Sequence, residues 1–284
     1  MKEQLKLTLS NGVEMPMAGI GTFLLTLDEA EASCLSALEN GYRLIDTANA
    51  YVNERAVGRA MRMSGLDRKE IFLETKLWPA FYEQPDAVEK TLERLDTDCI
   101  DLLLIHQPAG NYVAGYRQME AAVRAGKVRA IGLSNFNKEQ IREILSICQI
   151  RPVLLQTEVH PYFQEKSLKE FLASEGMAIQ AWYPLGHGDQ ALLDEPVFAK
   201  LAKKYGKSSA QIILRWHLQS KTIVIPGSKN PSHIRDNFAL FDFFLTPEEM
   251  AEIAALDKGV RYYTSTPEML KRYAEMVPPV DQQK

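Results

Sequence analysis

From residue 17 to residue 226 the chain alternates between two hydrophobic rhythms. Short apolar runs, at 17–22, 43–46, 71–76, 100–106, 128–134, 153–158, 177–182 and 222–226, are separated by stretches whose apolar residues recur every three or four positions. Runs of the first kind predict strands buried on both faces, and the spacing of the second predicts amphipathic helices. Val88, Leu92 and Leu95 form one helical stripe; Ile141, Ile144 and Leu145 form another. Thr26 and Glu29 have capping-box spacing, with Gly41 placed to close that helix. Thr246-Pro247-Glu248-Glu249 sets an N-cap, a first-turn proline and two acids at the positive end of a final helix. Ahead of all this, residues 5–10 and 13–15 flank Asn11-Gly12, which predicts a hairpin with a two-residue turn. Eight strands alternating with helices imply an α/β chain folded as a (β/α)8 TIM barrel with a short N-terminal β-hairpin. A doubly wound sheet is the alternative. No linker rich in Pro, Gly or Ser marks two halves, so residues 1–284 read as a single barrel domain.

Composition narrows the class of protein. The chain is 46% hydrophobic and 25% charged, as expected of a globular chain with a large core. Its net charge of −4 attracts neither nucleic acid nor an anionic membrane. The first sixteen residues lack the apolar core of a signal peptide, and no stretch is long enough to span a bilayer. Cys34, Cys99 and Cys148 are odd in number and form no Cys-x-x-Cys, so they read as reduced thiols of a cytoplasmic protein.

Candidate chemistry lies at the strand ends. In RLIDTANAYVNE the apolar run stops at Asp46, and Tyr51 follows in the next loop. Lys76 closes the third run and His106 the fourth. In a barrel these ends meet at the C-terminal mouth, where catalytic residues sit. A lone charge at a strand end is usually structural, but three in succession favour a site. A tyrosine is a sluggish proton donor at neutral pH; a lysine ammonium lowers its pKa, and an aspartate holds that ammonium. A histidine beside the tyrosine can orient a carbonyl. Asp46, Tyr51, Lys76 and His106 thus make a device for protonating a carbonyl oxygen as its carbon is reduced, with the hydride supplied by a nicotinamide.

At these residues the sequence resembles the aldo-keto reductase superfamily. The pieces that carry the resemblance are MAGIGTF, RLIDTANAYVNE, ETKLW, LLIHQP, GKVRAIGLSNF, LLQTEVHPY, AWYPLG, SAQIILRWHLQ and VIPGSKNPSHIRDN, in the family's order and over nearly the whole chain. The likeness is strongest to a bacterial branch similar to the 2,5-diketogluconate reductases. It implies a monomeric enzyme reducing small carbonyl compounds with NADPH, or with NADH. Tyr51 is then the acid, Lys76 and Asp46 its tuning pair, and His106 the residue that orients the carbonyl. Ser134, Asn135 and Gln156 match the holders of the nicotinamide carboxamide, and Trp182 the residue stacked on the ring. Leu185 and Gly186 match a loop over the pyrophosphate, and Thr22 is a further cofactor contact. Ser228, Lys229, Asn230, Arg235 and, when protonated, His233 are candidate phosphate partners, and Asn237 matches an adenine contact. Trp78, Phe23 and Gln107 would line the substrate pocket.

The departures concern the cofactor and the pocket. Gly227 and His233 stand where many members have a lysine and an arginine for the 2′-phosphate, so the margin for NADPH over NADH should be narrow. Gln107 and Phe23 replace tryptophans. Gly19 and Gly21 of GIGT are not a dinucleotide fingerprint, and a tight turn is reason enough for them. His160 with His106 lacks a third metal ligand, so no metal is expected. Trp216 and His217 read as packing or surface residues, Tyr262 and Tyr263 as core or a substrate-facing loop, and the charges of 165–169 and 247–252 as solvated helix faces. Two other readings compete: a cofactor-binding regulatory or sensor barrel, and an unrelated barrel hydrolase or isomerase using Asp46 and His106.

Overall fold

The computed structural model describes residues 4–283. A hairpin, β1 (Lys6–Thr8) and β2 (Glu14–Pro16), precedes eight parallel strands: β3 (Ile20–Gly21), β4 (Leu44–Asp46), β5 (Phe72–Leu77), β6 (Ile100–Ile105), β7 (Val128–Ser134), β8 (Leu154–Glu158), β9 (Ala178–Trp182) and β10 (Thr222–Val224). The strands pair in sequence order, and a parallel bridge between Ala18 and Val224 brings the first back beside the last. The helices that follow them are α1 (Leu27–Glu39), α2 (Glu54–Met63), α3 (Ala87–Leu95), α4 (Tyr112–Arg124), α5 (Lys138–Ile147), α6 (Lys166–Ser174), α7 (Gln190–Leu193), α8 (Pro196–Tyr205), α9 (Ser209–Gln219), α10 (Pro231–Phe238), α11 (Pro247–Ala254) and α12 (Pro267–Glu275). The (β/α)8 expectation holds.

Most local signals hold as well. Thr26 with Glu29 and Thr246 with Glu249 form reciprocal capping boxes. The helix begun by Thr246 is not the final one, since α12 follows. Its N-cap is Thr266, ahead of Pro267, the same signal repeated. Residues 17–19 and 225–226 extend the outermost strands only through the closing contact, where Gly19 N–H donates to the Val224 carbonyl at 2.8 Å. The hairpin turn is longer than two residues: Leu9 N–H donates to Val13 O, Gly12 N–H to Leu9 O, and Gly12 alone takes a positive φ. That is a three-residue loop with its glycine at the left-handed position. The glycines of GIGT have a different reason from the one expected. Neither has a positive φ, but a Cβ at Gly19 would lie 2.4 Å from Leu44, and one at Gly21 2.8 Å from the Ile225 carbonyl oxygen. Close strand packing requires them.

Alternation along the strands sorts the barrel interior into layers. On β5, Phe72, Glu74 and Lys76 share the inner face, all buried. The bottom layer is apolar: Leu44, Phe72, Leu102 and Leu154 pack with Leu9, Met15 and Met17, so the hairpin seals that end. A second cluster lies between the strands and the ring of α1 to α6, and a third joins α8, α9 and α11. Polarity rises toward the mouth. There the inner face carries charge.

Candidate active site

The mouth is built by chain segments that leave the strands under tight constraint. After Asp46 the backbone makes one 3-10 turn over Asn49–Tyr51, reverses at Val52 with φ 58°, and enters α2. Asn49 accepts the Trp78 N–H at 3.0 Å, while Asn53 donates to the Thr22 and Leu25 carbonyls at 3.0 and 3.1 Å. Tyr51 is therefore held between β4 and β5. His106 lies one residue past β6, its N–H still bonded to Leu77 O at 3.0 Å.

Lys76, without solvent exposure, donates to Asp46 Oδ1 at 2.5 Å and to the Thr47 carbonyl at 2.8 Å. Its ammonium stands 5.0 Å from the centre of the Tyr51 ring. The His106 ring meets Tyr51 at 5.6 Å and Trp78 at 5.1 Å, edge-on to both. All four predicted catalytic residues are thus together. Burial opposes the Lys76 ammonium, but Asp46, Tyr51 and Glu74 outweigh it and the shift is upward. Burial likewise pushes Asp46 up against the pull of Lys76. The phenol runs counter to the expectation: burial raises Tyr51 to about 12, and Lys76 offsets only part of that rise. The donor therefore stays protonated at working pH. Burial, then Lys76, drives His106 well below its usual value, leaving a neutral imidazole.

A cavity of about 740 Å³ opens over these residues, a size normal for small-molecule sites. Phe23, Trp78 and Gln107 line it as predicted, joined by Tyr263, Tyr273 and Met276 from the C-terminal segment. Tyr263 thus takes the substrate-facing of its two alternatives, while nothing local to Tyr273 and Met276 marks them in the sequence. From the tetrad the cavity runs past Ser134, Asn135, Gln156, Trp182 and Leu185 to Gly227, Ser228 and Lys229. Asn135 has φ 65°, and its side chain accepts from Trp182 Nε1 at 2.9 Å. The Gln156 amide nitrogen turns inward to Asp46 Oδ1, Glu74 Oε1 and Gln180 Oε1, each 2.9 Å away.

Other predicted cofactor contacts lie off this surface. Thr22 is fully buried and its hydroxyl donates to the Asp46 carbonyl. Gly186 is buried against Leu192, with Leu185 and His187 facing the cavity instead. Asn230 caps α10 by accepting from Ser232 N–H; neither it nor His233 nor Asn237 is among the lining residues. Lys229 faces the cavity but pairs with Glu29 at 2.9 Å, and Arg235 pairs with its neighbour Asp236. A Cβ on Gly227 would lie 3.0 Å from Gly21 O, so this strand end has little room for a side chain. An elongated cleft from an acid–base group to an exposed cation, walled by Trp182, fits a nicotinamide dinucleotide.

No cluster of metal-ligating residues occurs among the described residues. His160 bonds Glu158 at 3.0 Å, and Trp216 and His217 are buried. The supposed solvated faces are not solvated throughout. Glu249 is buried, and Lys169 is half-buried, enough for desolvation to lower it to about 8. No helix is long and apolar enough to cross a membrane among the described residues.

A family model described as the Aldo/keto reductase family matches residues 19–258. A methylglyoxal reductase of Salmonella typhimurium is 39% identical over 89% of this chain and 94% of its own. A glyoxal reductase of Bacillus subtilis is 41% identical over 92% and 96%. Among solved structures, a Bombyx mori aldo-keto reductase in complex with NADP superposes with a TM-score of 0.87 at 34% identity, covering 93% of this chain and 96% of that one.

Proposed function

The chain belongs to the aldo/keto reductase family and is an NAD(P)H-dependent oxidoreductase, and from that premise we propose that it reduces small aldehydes and ketones with NADPH, Tyr51 being the proton donor. The observation that carries the proposal is the convergence of Tyr51, Lys76, Asp46 and His106 at the head of the cavity. A nicotinamide bound in this cleft would be the source of the hydride for the carbonyl carbon. The neutral imidazole of His106 donates a hydrogen bond to the carbonyl oxygen and fixes its direction. Tyr51 gives that oxygen its proton as negative charge develops there. Lys76 then faces a phenolate, whose charge it offsets, and Asp46 keeps Lys76 in place. Trp78, Phe23 and Tyr263 exclude water from the reacting carbon.

Glyoxal and methylglyoxal, named for two relatives, head the substrate class proposed; aldehydes, α-ketoesters and keto-sugars complete it. NADPH is preferred over NADH through Lys229, whose exposed pairing with Glu29 is readily exchanged for a 2′-phosphate. The test is consumption of NADPH with this panel, for wild type and Tyr51→Phe. The wild type should turn over at least one compound, and Tyr51→Phe should lose roughly 10²–10⁴-fold in kcat while still quenching tryptophan fluorescence on binding cofactor. Turnover of no compound with either cofactor, or a Phe variant retaining most of its kcat, refutes the proposal.

A further inference from the structure

Beneath the catalytic pair lies a second carboxylate that the reaction as described leaves unused. Glu74 sits two positions before Lys76 on the inner face of β5 and has no solvent exposure. It lacks a cationic hydrogen-bond partner: Lys76 spends its bonds on Asp46 and Thr47. Its partners are amides. Gln156 Nε2 lies 2.9 Å from Oε1, and Gln180 Nε2 donates to Oε2 at 2.8 Å.

The hydrogen count around Gln156 does not close with two carboxylates. Its Nε2 has two hydrogens but three acceptors at 2.9 Å: Asp46 Oδ1, Glu74 Oε1 and Gln180 Oε1. A proton on Glu74 Oε1 settles it. Gln156 is then free to donate to Asp46 and Gln180, and a Glu74 hydroxyl is a donor that Asp46, which it faces, can accept. A lone buried carboxylate also costs far more than a buried acid.

We propose that Glu74 is held as a protonated carboxylic acid under the Lys76–Asp46 pair, and that it acts as a positioning residue whose charge state sets the proton affinity of Tyr51. Burial, reinforced by Asp46, raises Glu74 to about 8, with Lys76 opposing. The titratable groups facing it are Asp46 on β4, Lys76 on β5 itself and Tyr51 beyond β4. Gln156 and Gln180 face it from β8 and β9, and β6 presents Leu102. While neutral, Glu74 leaves Lys76 to act on Asp46 and Tyr51. Once ionised, it adds a negative charge that raises Tyr51 further. The phenol becomes a poorer acid, and its phenolate a rarer base for alcohol oxidation.

The mechanistic half of this rests on the proposed reductase activity; the protonation itself does not. Infrared difference spectroscopy of the wild type from pH 6 to 10 should show loss of a protonated-carboxyl band, absent from Glu74→Gln. Thermal denaturation gives a second readout. The folded value lies above the unfolded one, near 4.3, so stability falls as pH rises between them and levels off above about 8. Glu74→Gln, the isostere of the neutral acid, should remove that part of the fall. For the reaction, the pH profile of wild-type kcat should bend near pH 8 and that of Glu74→Gln should not. A wild type with no such carboxyl band, or a variant whose stability falls with pH as steeply as the wild type's, overturns the protonation. Unchanged kcat profiles in an active wild type overturn the positioning role alone. A wild type without reductase activity defeats the proposed function and leaves the spectroscopic and stability results to decide the proton.

Discussion

Tyr51 shows how one side chain is set by opposing effects of comparable size. Lys76 pulls its pKa down, but removal of the phenol from water raises it more, to about 12. Reduction should therefore not fall through loss of the Tyr51 proton below that value. Alcohol oxidation needs the phenolate, so its kcat should climb with pH about tenfold per unit on the approach, easing where Glu74 ionises. An oxidation rate flat from pH 7 to 10 would contradict the assignment. Lys76→Met removes the one group that lowers Tyr51, and Asp46→Asn removes one that raises it. The methionine variant should lose about 100-fold or more in kcat and the asparagine variant less; the reverse order would mean that holding Lys76 matters more than its charge. For the cofactor, Lys229→Ala should narrow the NADPH over NADH ratio in kcat/KM by about tenfold. An unchanged ratio would remove Lys229 from that role.

Among the elements, the loop bearing Tyr51 depends on how α2 is anchored. Glu54, the first residue of α2, is fully buried; its carboxylate accepts from Arg94 Nε of α3 at 2.6 Å and from Thr75 Oγ1 of β5 at 2.8 Å. Burial raises its pKa and Arg94 opposes that rise. Thr75 faces outward between Glu74 and Lys76, so this pair ties the catalytic strand to two helices. Removing one member of a buried ion pair strands the other, at a cost of about 3–5 kcal/mol. Arg94→Met should lower the melting temperature by roughly 5 °C or more, measured calorimetrically. A shift below one degree would show the pair to be dispensable.

At the scale of the whole molecule, the barrel is completed by a segment beyond the family match. The Glu158 carboxylate, buried at the end of β8, accepts from the Tyr262 and Tyr263 backbone N–H groups at 2.5 and 3.0 Å. Trp78 Nε1 donates to the Met276 carbonyl at 2.9 Å, and the Tyr273 ring meets Trp78 at 5.1 Å. Residues 262–276 are thus clamped over the cavity from two strands. Glu158→Gln weakens one clamp while leaving the tetrad alone. It should raise KM for bulky carbonyls about tenfold, change kcat little, and speed proteolysis near residue 260. An effect on kcat alone would tie Glu158 to the chemistry instead.

The eight strands, the helix caps and the four residues at the mouth were legible in the sequence because each depends on local pattern. A buried parallel strand must be apolar along its length, a helix start needs its own side-chain acceptor, and Asp46, Lys76 and His106 interrupt or end apolar runs at successive strand tips. What depends on residues far apart was not legible. Gly19 and Gly21 answer to Leu44 and Ile225, not to a turn. Thr22, Gly186, Asn230, His233 and Asn237 lie near the cleft in sequence logic but off its surface in space. The cavity wall drew on Tyr263, Tyr273 and Met276, in a segment tied to Glu158 and Trp78 across separations of 105 and 198 residues. Above all, the proton affinities of Tyr51 and Glu74 were decided by tertiary structure. Identity sets a side chain's intrinsic pKa, but burial sets the cost of its charge, and burial exists only once the barrel has closed.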